Sequence, residues 1–167
     1  MISDQQIRSY LETALQGAKK AFELGNYPIG SVFANEDGTG EIIEINEYHT
    51  LDDITAHAEI LGIRKLGKKI DKDTPGNYYL FTSLEPCFGC SFFLARTNVS
   101  RIYSALKDPH KGGTSDLKSQ EQFRNFFNNI ELVSEPFADF KKQSQDLMHK
   151  YFLAKGNEKA ASFYKEA

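Results

Sequence analysis

The sequence has no tryptophan, only two cysteines and only five prolines in 167 residues. Cys87 and Cys90 stand three positions apart, too close to staple distant parts of a fold, which excludes a disulfide-built extracellular module. No apolar stretch approaches the ~20 residues of a membrane span, so no membrane partner is expected. Met1 to Ser9 lacks a basic region followed by an apolar run, and no signal peptide is expected. Basic excess is missing too: 20 Lys and Arg face 23 Asp and Glu, for a net charge of -3. No overall field draws the chain to nucleic acid or an anionic membrane, although a local basic face stays open. A reducing cytoplasm is the expected compartment.

Hydrophobic residues make up 40% and charged residues 26%, an ordinary globular balance. The length fits one domain over residues 1–167 with a proper core. Ser3 and Gln6 have capping-box spacing, and Ile7, Leu11, Leu15, Ala18 and Phe22 follow at helical steps. This predicts an amphipathic first helix that stops near Gly25 and Asn26. Strands are expected at Ile29 to Ala34 and, after the turn Asn35 to Gly38, at Glu41 to Asn46. A helix is expected from Ala56 to Leu66, a strand at Tyr78 to Thr82, and a helix from Cys87 to Thr97 opened by Pro86. Arg101 to Leu106 reads as a strand, Asp108 to Ser115 as a loop, Phe123 to Phe127 as a short helix and Ile130 to Val133 as a last strand. Helical patterning resumes at Phe137 and runs to Lys155 or on to Tyr164. The alternation indicates a layered α/β fold with a mixed sheet, its first strand pair antiparallel and its helix-connected strands parallel.

Two stretches carry chemistry: Thr55-Ala56-His57-Ala58-Glu59 and Leu84-Glu85-Pro86-Cys87-Phe88-Gly89-Cys90. Each lies after a loop at an expected helix start. Cys87 and Cys90 then point to one side of the first turn, where a helix N-terminus favours thiolate. With His57 they offer three soft or borderline ligands of the kind zinc prefers. Three ligands leave a fourth place for water, as catalytic zinc sites do. Glu59, two residues from His57, can take a proton from that water and pass it to a departing amine. Two plainer readings stand beside this one: a redox Cys-x-x-Cys pair, or a structural zinc site closed by His57 and His110.

His-x-Glu followed by Pro-Cys-x-x-Cys is the zinc-deaminase signature. On these residues the sequence resembles the cytidine-deaminase superfamily, above all its branch of tRNA adenosine deaminases and guanine deaminases. Pro28 to Val32 resembles the family's early strand, and the likeness covers nearly the whole chain. It implies a three-layer α/β/α fold with a mixed five-stranded sheet. It also implies one zinc per chain on His57, Cys87 and Cys90, with Glu59 as proton shuttle. Asn46, the backbone N–H of Ala58, Asp108 in a substrate-side loop and Ile29 as an apolar wall would make the base pocket. A homodimer is implied as well, its helices packing through Ile60, Phe92 or Phe93.

The substrate is read less directly. Glu44, Glu47, Asp52 and Asp53 are expected near the site mouth, where they would repel phosphate. Lys141, Lys142, Lys150, Lys155 and Lys159 would form a phosphate-binding face or a solvated helix surface. A small-molecule deaminase for a free base or nucleoside, guanine or a related amino-purine or pyrimidine, is the leading expectation. Adenosine-to-inosine editing of tRNA comes second. A catalytically silent binding module is the third, and the intact Glu59 speaks against it.

Overall fold

A computed structural model describes residues 2–110 and 112–165. Helix α1 (Asp4–Glu23) opens on the expected capping box. The Gln6 amide donates to Ser3 Oγ at 3.3 Å and the Ser3 amide donates to Gln6 Oε1 at 2.9 Å. Its stripe of Leu11, Ala14, Leu15 and Ala18 is buried. Strands β1 (Gly30–Asn35) and β2 (Ile42–Ile45) make the hairpin. Helix α2 (Ala58–Leu66), strand β3 (Tyr78–Thr82), helix α3 (Phe88–Leu94) and strand β4 (Val99–Ser104) follow. Then come α4 (Thr114–Ser119), α5 (Glu121–Arg124), β5 (Glu131–Ser134), α6 (Ala138–Ala154) and α7 (Glu158–Ser162).

The five strands form one mixed sheet in the order β2-β1-β3-β4-β5. β1 runs antiparallel to both β2 and β3, while β3, β4 and β5 are parallel neighbours. The helix-connected β2 and β3 do share a direction, but β1 lies between them. One face packs against α1 and α6 through Leu11, Leu15, Phe81 and Phe140. The other packs against α2, α3 and α4 through Phe33, Leu66, Leu80, Leu94 and Leu117. The three-layer α/β/α architecture expected from the sequence is the one observed. Among the described residues no helix is long and apolar enough to cross a membrane.

Register brings the chemistry to one edge. Gly30 faces Ile45, Ser31 faces Thr82, and Thr82 faces Ser104. The entry to β1 and the exits of β2, β3 and β4 therefore meet, and the segments just outside them are Ile29, Asn46, Leu84-Glu85 and Asp108. Crevices beyond the carboxyl ends of parallel strands are where open α/β sheets bind ligands.

Several boundaries differ from expectation. Helix α4 begins at Thr114, inside the stretch expected as loop to Ser115, because only Thr114 and Leu117 of it are buried and Gly112-Gly113 precede it as turn signals. Lys111 of that loop lies outside the described residues. The last helical stretch is two helices, broken at Gly156 with φ 70°, a left-handed angle glycine adopts freely. Helices α2 and α3 start at Ala58 and Phe88, so His57 and Cys87 are their N-cap residues.

Candidate active site and metal centre

His57 (φ -77°, ψ 144°) and Cys87 (φ -65°, ψ 171°) have extended N-cap backbones, and neither side chain caps its own helix. Imidazole and thiol are thus left to face each other across the gap between the helix starts. Cys87 Sγ lies 3.7 Å and Cys90 Sγ 3.4 Å from His57 Nδ1. The three donor atoms all fall within 4.8 Å of one another. Tetrahedral zinc with ordinary Zn–S and Zn–N bonds puts sulfur and nitrogen about 3.6 Å apart, so the donor set fits this metal in kind and in spacing. A hydrogen bond from Cys90 holds the Cys87 thiol down to about 4, with His57 acting in the same direction, whereas that bond and burial push Cys90 up. The bond to Cys87 raises His57.

Glu59 is 3% exposed and stands in the first turn of α2. Thr82 Oγ1 donates to its Oε1 at 3.3 Å, and Cys90 Sγ lies 3.6 Å from its Oε2. Burial raises its pKa, which suits a carboxyl group that must both take and give a proton.

A cavity of about 270 Å³ opens on this cluster, with Ile29, Leu84, Met148 and Phe152 as apolar walls. Asn46 and Asp108 line it as expected. The Tyr48 amide donates to Asn46 Oδ1 at 3.1 Å, which fixes the side-chain amide in place. Ala58 is buried but does not itself line the cavity. It stands in the first turn of α2, where a helix leaves an amide N–H without an intrahelical acceptor. His110 is not part of the sulfur–imidazole cluster, and its ring stacks on Phe163 at 4.5 Å. A structural zinc site closed by His110 is therefore ruled out.

Glu85 was not singled out from the sequence, although it sits inside the second motif. Its buried carboxylate accepts the Asp108 amide at 3.3 Å and the Ser115 amide at 2.6 Å, tying both ends of the loop that follows β4. Gly113 lets that loop lie on the metal helix, since a Cβ there would stand 2.3 Å from the Phe88 nitrogen. Tyr164 was missed because it lies more than fifty residues from Asp108, yet its hydroxyl donates to Asp108 Oδ1 at 2.6 Å.

The acidic residues expected at the mouth do not line the cavity. Glu44 pairs with Lys65 at 2.6 Å, and Asp53 Oδ1 accepts the Thr55 amide at 2.8 Å. The carboxylates that do line it are Glu59, Glu85 and Asp108. The lysines form no single stripe either. Lys141 pairs with Glu135 at 2.8 Å and Lys155 lies 5.5 Å from the centre of the Tyr151 ring. At helical periodicity Lys142 and Lys150 project about 100° and 180° round α6 from Lys141. Phe88, Phe92, Phe93 and Phe126 are exposed, while Phe127 is buried.

Residues 4–106 match the cytidine and deoxycytidylate deaminase zinc-binding region. The chain belongs to this family. Members of this deaminase family are zinc-dependent hydrolytic enzymes acting on nucleobases or nucleotides. Zinc is accordingly the cofactor, and His57, Cys87 and Cys90 can hold it. A tRNA-specific adenosine deaminase of Aquifex aeolicus (strain VF5) is 38% identical over 109 residues, 64% of this chain and 70% of that one. A solved structure from a study of A-to-I editing by tRNA:A34 deaminases has a TM-score of 0.68 at 26% identity, covering 84% of this chain and 99% of that one. A guanine deaminase from Nitrosomonas europaea has a TM-score of 0.69 at 16% identity, covering 90% of this chain and 86% of that one, a likeness of fold. The family match ends at Leu106, so Asp108, Met148, Phe152 and Tyr164 build the cavity from outside it.

Proposed function

We propose that this deaminase removes an exocyclic amino group from a free nucleobase or nucleoside, such as guanine or a related amino-purine or pyrimidine. The observation that carries this reading is the cavity. It is about 270 Å³ and is lined by His57 and Cys87 of the donor cluster, by Glu59, and by Met148, Phe152 and Tyr164 of the C-terminal segment. In the reaction one water is consumed, the ring carbon exchanges its amino group for oxygen, and ammonia leaves. His57, Cys87 and Cys90 would hold the zinc, which when bound would supply the Lewis acidity that lowers the pKa of water toward neutrality. Glu59 accepts the proton of the attacking water and returns it to the departing nitrogen. Asn46 and the Ala58 amide hold the ring edge, while Ile29 and Leu84 exclude water from its faces.

Editing of adenosine in tRNA is the second reading, favoured by the 38% identical relative. The two are separated by offering free bases, ribonucleosides and an anticodon stem-loop to the zinc-loaded protein over a salt series, with ammonia release as the readout. Release from a base or nucleoside, nearly constant from low to moderate salt, is expected, because the pocket contacts involve few charges. Conversion of the stem-loop alone, lost as salt rises and weakened by removing Lys141 and Lys142, would overturn the reading, since phosphate contacts release counterions.

The working assembly proposed is a cytoplasmic homodimer. Thiols that hold metal must stay reduced. Phe88, Phe92, Phe93 and Phe126 are 44%, 39%, 57% and 54% exposed, an apolar patch of the kind monomers rarely leave open. Helix α3 carries both Cys90 and the first three of these rings up to its start, so a partner seated there lies beside the site. Light scattering is expected to report a dimer at micromolar concentration, and a monomer would contradict it.

A further inference from the structure

Glu59 is the group in the proposed reaction that must both take and give a proton, and among the described residues two side chains hold it. Thr82 Oγ1 lies 3.3 Å from Oε1, and Cys90 Sγ lies 3.6 Å from Oε2. The second hold lapses when Cys90 serves as a metal ligand, because a thiolate has no proton to donate. Thr82 then remains as the side-chain partner of the carboxyl group. It ends β3 on the side that faces α2: Leu80, two residues earlier, belongs to the core beneath α2, while Phe81 belongs to the core beneath α1. Thr82 is fully buried, as Glu59 is, so bulk water does not compete for the bond.

The Thr82 hydroxyl has one proton and a second acceptor, the Leu84 carbonyl oxygen at 2.9 Å. Turned toward Glu59, it donates to a carboxylate. Turned toward Leu84, it leaves an oxygen lone pair facing Glu59, where it accepts from a carboxylic acid. The hydroxyl rotates between the two without moving a heavy atom. We infer that Thr82 is a positioning residue that holds Glu59 in one place through both halves of the proton transfer. It fixes Oε1 and so leaves Oε2 facing the donor cluster. Burial of a hydroxyl at this sheet edge does not by itself give it that part. Ser31 faces Thr82 across the β1–β3 pair, and its Oγ is buried yet bonds to no described residue. The inference rests on Glu59 as the proton shuttle, and it holds for a free base and a tRNA adenosine alike, since both pass through the same proton step.

The test measures kcat and KM by ammonia release, on whichever of guanine, adenosine, cytidine and an anticodon stem-loop the wild type converts fastest. Zinc content and thermal melts accompany each zinc-loaded variant. Thr82→Val keeps the branched shape and loses the hydroxyl. It is expected to lower kcat by about tenfold, the scale of one hydrogen bond to a charged group, with KM within about twofold and zinc unchanged. Its melting temperature should fall as well, because the Leu84 carbonyl is left unpaired. Thr82→Ser restores the hydroxyl and is expected to recover most of kcat. Ser31→Ala, which removes a buried hydroxyl one strand away, is expected to leave kcat near that of the wild type. In a Glu59→Gln background Thr82→Val should change kcat by less than about twofold, because a residue acting through Glu59 then has no shuttle to position. Should Thr82→Val fail to fold, Thr82→Ala carries the same expectations. A loss that persists in the Glu59→Gln background, that Thr82→Ser does not recover, or that Ser31→Ala matches marks a structural role and overturns the inference. So does a folded Thr82→Val with normal kcat beside an impaired Glu59→Gln. A Glu59→Gln protein with normal turnover, or a wild type that converts none of these substrates, overturns the shuttle reading and this inference with it.

Discussion

Glu59→Gln is expected to lower turnover by about 10²-fold or more, the usual scale for a lost general acid–base, with zinc content and fold kept. The side chain is buried, and glutamine has nearly the same shape. Its carbonyl oxygen can still accept the Thr82 hydroxyl that now donates to Oε1 at 3.3 Å. What it lacks is the ability to take a proton from water and hand it on. The burial that raises the Glu59 pKa also keeps bulk water from substituting for the carboxylate. The comparison is kcat for both proteins at equal zinc per chain, with thermal melts to show equal folding. A variant with near-normal turnover and full zinc would remove Glu59 from the reaction. The same measurement bears on the silent-module reading, which requires that the wild type itself turn over nothing.

The cluster at the centre of the site was legible from two local motifs. Cys87 and Cys90, three residues apart, share one face of a helix start, whereas the meeting of that face with His57 is the work of the fold. The sheet was legible for the same reason: alternating short apolar runs and helical periods need no long-range information. The pocket walls were not. Met148, Phe152 and Tyr164 read as one more amphipathic helix face, and nothing in periodicity says that the face lies over an active site rather than over core. Glu85 was hidden differently. A glutamate before Pro-Cys reads as part of a motif, and its task of holding the Asp108 and Ser115 amides depends on a loop folding back from β4. Charge was the least reliable guide. Glu44 and Asp53 looked like a repulsive mouth, yet one is engaged by Lys65 and the other by its own turn. The exposed Phe92 and Phe93 reverse the usual rule that apolar residues are inside, which is what a surface awaiting a partner would do.

Cys87→Ala is expected to abolish both zinc retention and activity. Three donors are the fewest that hold a catalytic zinc, and removing one sulfur leaves a single thiol and an imidazole. The rise of Cys90 comes chiefly from its bond to Cys87, and with that bond gone Cys90 and His57 are left as two donors, short of the three a catalytic zinc needs. His57 must also be neutral to ligate. Because its pKa is raised, protons compete with zinc at this nitrogen up to a higher pH than at an ordinary histidine. In the wild type, zinc loading is therefore expected to fall as pH is lowered, with protons released on binding. Elemental analysis after dialysis is expected to give about one zinc per chain for the wild type and almost none for the variant. A chelator should lower the melting temperature of the wild type and leave that of Cys87→Ala unmoved, since a ligand that binds only the native state stabilises it by mass action. Equal zinc in the two proteins, or equal response to the chelator, would exclude Cys87 from the metal centre and with it the assignment of α3 as the metal helix.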